Sequence, residues 1–112
     1  MKRYLISFNV GDLAVDAQDL PAVAEAARAV VREARAAGVL LFAGGLADPA
    51  EATLVATDGT QAGAPPWRRE FIAGLTLIEV ARHDEALAWA GRLAAACRCA
   101  QELREIMPDS AL

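Results

Sequence analysis

At 112 residues with 55% hydrophobic content, the chain is sized for a single domain, residues 1–112, with a core of its own. A formal net charge of −4 and a pI near 4.9 argue against a nucleic-acid partner, which rewards basic patches, and no apolar run approaches the ~20 residues that span a bilayer. The apolar share is high for so small a domain, and a sheet covered by helices on one side needs a second partner for the other, so a homodimer is expected.

The start, MKRYLISFNV, has a basic end and an apolar stretch but neither the long apolar region nor the small-residue cleavage site of a signal peptide. A mature cytoplasmic chain is expected. Residues 3–10 alternate instead as a strand, with Tyr4, Ile6, Phe8 and Val10 on one face and Arg3, Leu5, Ser7 and Asn9 on the other. The polar members of the second face, Ser7 and Asn9, are expected to look into a cavity. Asp12, Asp16 and Asp19 follow in a turn-rich connection that lacks the spacing of a calcium loop. Asp19 and Pro21 suit the start of a helix. Along that helix Leu20, Val23, Ala24, Ala27, Val30, Val31 and Ala34 form one apolar stripe, while Glu25, Arg28, Arg32, Glu33 and Arg35 read as a solvated face. Gly38 stands where a helix would end.

VLLFAGGL (39–46) is continuously apolar, the pattern of a central strand buried on both faces, and Gly44-Gly45 marks a bend, a bulge or a close backbone approach. A turn at DPAE leads to a short strand over 52–57 and a tight turn at Asp58-Gly59. In the loop 60–67, Trp67 stands beside Arg68 and Arg69, either as a clamp on an aromatic or anionic ligand or as a plug at a core edge or dimer seam. A strand opening at Phe71 ends in LTLIEV, whose lone charge, Glu79, is either a desolvated base or the partner of an arginine. After a turn at Arg82-His83 a helix buries Ala86, Trp89, Ala90, Leu93, Ala94 and Cys97. Consecutive His83 and Asp84 diverge on a helix, which weakens a dyad between them. Cys97 and Cys99 share a spacing that could chelate a soft metal, but His83 is the only histidine to complete the set, so no metal is expected. With no Walker A motif and no Gly-x-Gly-x-x-Gly run, no cofactor is expected either. The tail CAQELREIMPDSAL continues a helical period, yet ELREIM also reads as a charged edge strand.

The resulting order, strand–helix–strand, hairpin, strand–helix–strand, is an α+β ferredoxin-like βαβ(β)βαβ sandwich, an antiparallel sheet with two helices on one face. AGVLLFAGGLADPAEATLVATDG and GLTLIEVARHDEALAWAGRLAAA resemble the YCII-related family, in particular its DGPF branch, where a helix ending in Gly, an ATTV-like stretch and a LIEV…DEALEWA stretch occur in this order. Asn9-Val10-Gly11-Asp12 fits the Gly-Asp that the branch carries after its first strand. The resemblance covers most of residues 1–107 and implies a dimeric α/β barrel with a last strand near 101–107. Two departures stand out. The Asp-Gly-Pro-Phe signature is missing, its nearest matches being Asp58-Gly59-Thr60-Gln61 and Ala62-Gly63-Ala64-Pro65. The family's proposed His–Asp pair needs a histidine near the first helix, and this chain has none there.

The function expected is the handling of a small molecule. It takes the form either of a cofactor-independent enzyme (cyclase, isomerase or lyase type) acting on a small aromatic or polyketide-like metabolite, or of a non-catalytic ligand-binding or protein-interaction module. Phe42, Trp67 and Phe71 are the candidate cavity residues, Arg69 the candidate anchor for an anionic or phenolic group, and Asp12 or Asp58 the candidate proton acceptor. A base in such a site requires a carboxylate pKa raised by apolar surroundings.

Overall fold

The computed structural model describes residues 1–63 and 71–108. Strand β1 (Lys2–Asn9) is followed by helix α1 (Leu20–Ala36) and strand β2 (Leu40–Gly45). A hairpin of β3 (Thr53–Val55) and β4 (Gln61–Gly63) intervenes before β5 (Ile72–Val80), helix α2 (His83–Cys97) and β6 (Glu102–Glu105). The main sheet has the order β2-β5-β1-β6, and each neighbouring pair is antiparallel. Each strand–helix–strand unit thus straddles a strand of the other, an α+β arrangement compatible with the ferredoxin-like pattern.

Period-2 alternation sets the two faces of the sheet. Tyr4 lies opposite Ile78, Ile6 opposite Thr76 and Phe8 opposite Gly74. Tyr4, Ile6, Ile78 and Val80 are almost wholly buried and meet Ala86, Ala90 and Leu93 of α2 in the core. Val30 and Val31 of α1 and Leu103 of β6 pack against the same cluster, so both helices cover one face. Burying this set is the main source of stability, at about 25 cal/mol per Å² of apolar surface removed from water. Between the helices, Arg92 of α2 pairs with Glu33 of α1 and lies 4.6 Å over the Trp89 ring.

The helix ends are set locally. Gly38, at φ +76°, closes α1 in a Schellman motif: its N–H bonds to the Arg35 carbonyl and that of Val39 to the Ala34 carbonyl. Arg98 takes the equivalent left-handed position after α2 at φ 56°, with its N–H and that of Cys99 both donating to the Ala94 carbonyl. At the start of α1, Asp19 makes no capping hydrogen bond from its side chain. Its carboxylate lies 3.6 Å from the Arg98 guanidinium instead, tying the start of α1 to the end of α2.

The tail, which its periodicity leaves open to a helix, forms the strand that the sandwich order requires: the left-handed turn at Arg98 breaks the helical period and β6 pairs with β1 (Leu5 opposite Arg104, Ile6 opposite Leu103). One expectation is corrected. The apolar run 39–46 does not yield a central strand: β2 is an edge of the sheet, and Leu41 and Phe42 are 48% and 58% exposed. An edge position leaves one long side of the strand unpaired, and the face carrying Phe42 has no helix over it.

That uncovered face also carries Leu5, Leu75 and Leu77, all half-buried, and the pair Arg3–Glu79 at 2.8 Å. The hairpin β3–β4 is a separate two-stranded sheet whose residues are all exposed, Leu54 and Val55 included. The radius of gyration is 15.5 Å, against ~13 Å for a compact domain of this length. No helix among the described residues is long and apolar enough to cross a membrane.

Candidate functional site

Only part of the apolar stripe of α1 is buried. Val23 and Ala34 are buried and Val30 and Val31 half-buried, but Leu20 is 41% exposed and Ala24 is exposed as well. The reason is a cleft of about 710 Å³ between α1 and the sheet. Its floor is the helix-side face of the strands: Phe8, Ala43, Gly45, Gly74 and Thr76. Leu20, Val23, Ala27 and Val31 form the wall, and Leu93, Cys97 and Gln101 close it on the α2 side.

Small residues give the cleft its depth. A Cβ on Gly74 would stand 2.7 Å from Phe8 Cε1 and 3.0 Å from Cζ, so the Phe8 ring lies directly over the glycine across the β1–β5 pair. Any side chain at 74 would drive that ring into the cleft. Ala43, Gly44 and Gly45, the β2 residues that line the cleft, likewise leave space between the sheet and α1.

The charged lining is of one sign. Arg28, Arg32 and Arg35 border the cleft, and among the described lining residues none is acidic and none is histidine. Glu25 accepts from Arg28 Nε at 3.2 Å and from Arg32 at 2.9 Å. The two guanidiniums hold the Glu25 carboxyl below its usual range, Arg32 more strongly than Arg28. Cys97 is buried, and burial first, then the neighbouring Cys99, pushes its thiol above the usual value. A neutral thiol is a weak nucleophile.

Of the residues singled out from sequence, the described ones, Asp12, Asp58, Phe42 and Phe71, do not line this cleft. Asp12 lies in a short 3-10 turn after β1, its carboxylate accepting from the Asn9 N–H at 3.3 Å. It is near enough to the cleft's Gln101 end for its charge, after burial, to raise the Cys99 thiol, while Gln101 donates to that sulfur at 3.7 Å. Asp58 is at the tip of the β3–β4 hairpin, fully exposed, and accepts from the Thr60 N–H at 2.9 Å and hydroxyl at 2.7 Å. These bonds hold its carboxyl below the ordinary value, the direction opposite to that required of a base in an apolar site. Phe42 is on the uncovered face of the sheet, its ring over Gly44. Phe71 immediately precedes β5, its carbonyl accepting from the Val10 N–H at 2.9 Å, and borders a smaller hollow of about 260 Å³ with Leu46, Pro49 and Ile72. Trp67 and Arg69 lie outside the described residues. Asp12 and Phe71 are thus brought to one end of the sheet, whereas Asp58 and Phe42 stand apart from them and from the cleft.

The ionisable residues of β5 and the start of α2 are engaged away from the cleft. Glu79 pairs with Arg3, its register partner across β1–β5. Asp84 is held by Arg82 at 3.0 Å, which lowers its pKa, while the His83 ring packs against Tyr4 at 5.7 Å. Among the described residues no three His, Cys, Asp or Glu side chains gather as a metal site.

No family model matches the chain, and a search of curated proteins returns no match.

Proposed function

We propose that this chain is a small-molecule-handling protein of the YCII-related kind, DGPF branch, whose ligand lies in the cleft between α1 and the sheet. The observation that carries the reading is the half-exposed apolar stripe of α1 facing an apolar floor across about 710 Å³. That volume is in the range of ~300–1,000 Å³ typical of sites for drug-sized ligands, as is the mostly hydrophobic lining with a few polar groups. A well-packed domain leaves few voids larger than a water molecule, so this much unfilled apolar surface is a feature to be explained by an occupant.

The protein acts in this reading as a homodimer. The uncovered sheet face, with Leu5, Leu75, Leu77 and Phe42, packs on its copy to close a dimeric α/β barrel, which also gives the exposed β3–β4 hairpin something to rest on. An isolated two-stranded hairpin is at best marginal in water.

The described lining favours binding over acid–base catalysis, because it offers no carboxylate and no imidazole and its thiol is neutral. A catalytic version, cofactor-independent chemistry on an aromatic or polyketide-like metabolite, draws support from one observation: Asp12 stands close enough to the Gln101 end of the cleft to act on the Cys99 thiol. Asp12→Asn separates the two, leaving affinity unchanged if the protein only binds and abolishing turnover if Asp12 moves the proton.

The cleft itself is tested with the neutral solvatochromic dye Nile red. Ala27→Trp, which places an indole in the wall, is expected to abolish dye binding, while Ala26→Trp on the exposed side of the same helix leaves it intact. Equal dye binding by both variants would sink the assignment.

A further inference from the structure

We propose that the cleft takes a single-headed organic anion, an elongated apolar body ending in a carboxylate, with the carboxylate held by the Arg28–Arg32–Arg35 row. The proposal rests on the cleft being a ligand site and adds the chemical class of the ligand.

The three arginines stand at i, i+4 and i+7 on α1, which brings their guanidinium groups to one helix face, the face that borders the cleft. One carboxylate, Glu25, serves both Arg28 and Arg32, so that trio keeps a net positive charge. Arg35 has no carboxylate partner among the described residues. No acidic residue among the described lining offsets them, and the site is therefore locally positive in a chain whose formal net charge is −4. Such a contrast draws an anion to this one place on an otherwise repelling molecule.

The geometry also limits the anion to one head. The three arginines stand from the centre of α1 towards its C-terminal end, between residues 28 and 35, while the facing floor is apolar apart from Thr76. From Leu20 to Arg35 the wall runs ~22 Å along the helix axis, and its N-terminal half offers Leu20, Val23, Ala24 and Ala27 to an apolar body. A planar carboxylate matches the guanidinium fork with paired hydrogen bonds, which a hydroxyl or an ammonium cannot make.

The experiment compares dodecanoate, dodecanol and dodecyltrimethylammonium, each below its micelle concentration, on the purified full chain. Affinity is measured by calorimetry. Occupancy of the cleft is measured by displacement of bound Nile red, with Ala27→Trp as the control that lacks the site. Dodecanoate is expected to bind about tenfold more tightly than dodecanol and to displace the dye, with displacement weakening as salt rises. The double variant Arg32→Gln, Arg35→Gln is expected to lose the preference for dodecanoate while binding dodecanol as before, which also shows that its cleft is intact. Equal affinity for carboxylate and alcohol in the unmodified protein would overturn the anion assignment and leave the cleft standing. Failure of every amphiphile to displace the dye would overturn both.

Discussion

Gly74→Ala isolates the contact that shapes the cleft floor. The new Cβ would meet Phe8 Cε1 at 2.7 Å and Cζ at 3.0 Å, and the Gly44 carbonyl oxygen at an unproblematic 3.6 Å. The backbone at Gly74 is not in the left-handed region, so alanine is tolerated conformationally and the effect is one of space. Relieving the overlap takes a shift of the ring by about 1 Å, in the range of overpacking that costs ~1–3 kcal/mol. The cleft gives the ring somewhere to go, which places the cost near the lower end. Alanine's advantage over glycine in a strand returns ~0.5–1 kcal/mol. A net loss of about 1 kcal/mol, or ~4 °C in the melting midpoint, is therefore expected. The decisive assay is a double-mutant cycle by urea unfolding. In a Phe8→Ala background the overlap is gone, and Gly74→Ala should become neutral or slightly stabilising, giving a coupling of ~1–2 kcal/mol. The same cost in both backgrounds would refute the contact as the cause.

Three further outcomes follow from other parts of the molecule. Arg98→Gly removes a left-handed residue with a side chain, worth ~1–2 kcal/mol, and loses only an exposed pairing with Asp19 worth ~0–1 kcal/mol; the melting midpoint should rise by a few degrees, and a fall would show that the Asp19 tie matters more than the backbone. Leu77→Glu on the uncovered sheet face should convert the proposed dimer to a folded monomer in sedimentation at micromolar concentration, and a dimer that survives it would move the interface elsewhere. The third concerns pH. Burial raises the Cys97 and Cys99 thiols above their unfolded values, so the stability this contributes is complete below the unfolded value of ~8.5 and is lost as pH rises through the folded one. Urea midpoints should therefore decline in the alkaline range, and Cys97→Ala with Cys99→Ala should flatten that decline; an unchanged slope would contradict it.

Much of the fold was legible because both periods are strong where they matter. Tyr4, Ile6 and Phe8 alternate against polar neighbours, and the stripes of both helices run cleanly to Ala34 and Cys97. Where the sequence misled, a tertiary cause overrode a local pattern. The continuous apolar run of β2 reads as a central strand, yet it lies at an edge, with Phe42 on a face that the proposed second copy would cover. The tail stood open between helix and strand because no glycine or asparagine announces the stop at Arg98, and the sandwich order decided rightly for the strand. The cleft was least legible of all. An apolar stripe looks the same in sequence whether it meets a packed core or an open floor, and Arg28, Arg32 and Arg35 read as an ordinary solvated face. The glycine pair 44–45 was the one local hint, compatible with a close backbone approach without indicating what approached. Asp12 and Asp58 stand out in the sequence as carboxylates beside turns, and turn carboxylates bond to nearby backbone N–H groups, as both do here.

Native mass spectrometry of the freshly purified chain bears most directly on a dimer with an occupied cleft. Dimer ions carrying an added small organic mass, released as an anion on activation and absent from Ala27→Trp, are the expected result. Monomer ions at micromolar concentration, or dimers of Ala27→Trp that carry the same mass, would contradict it.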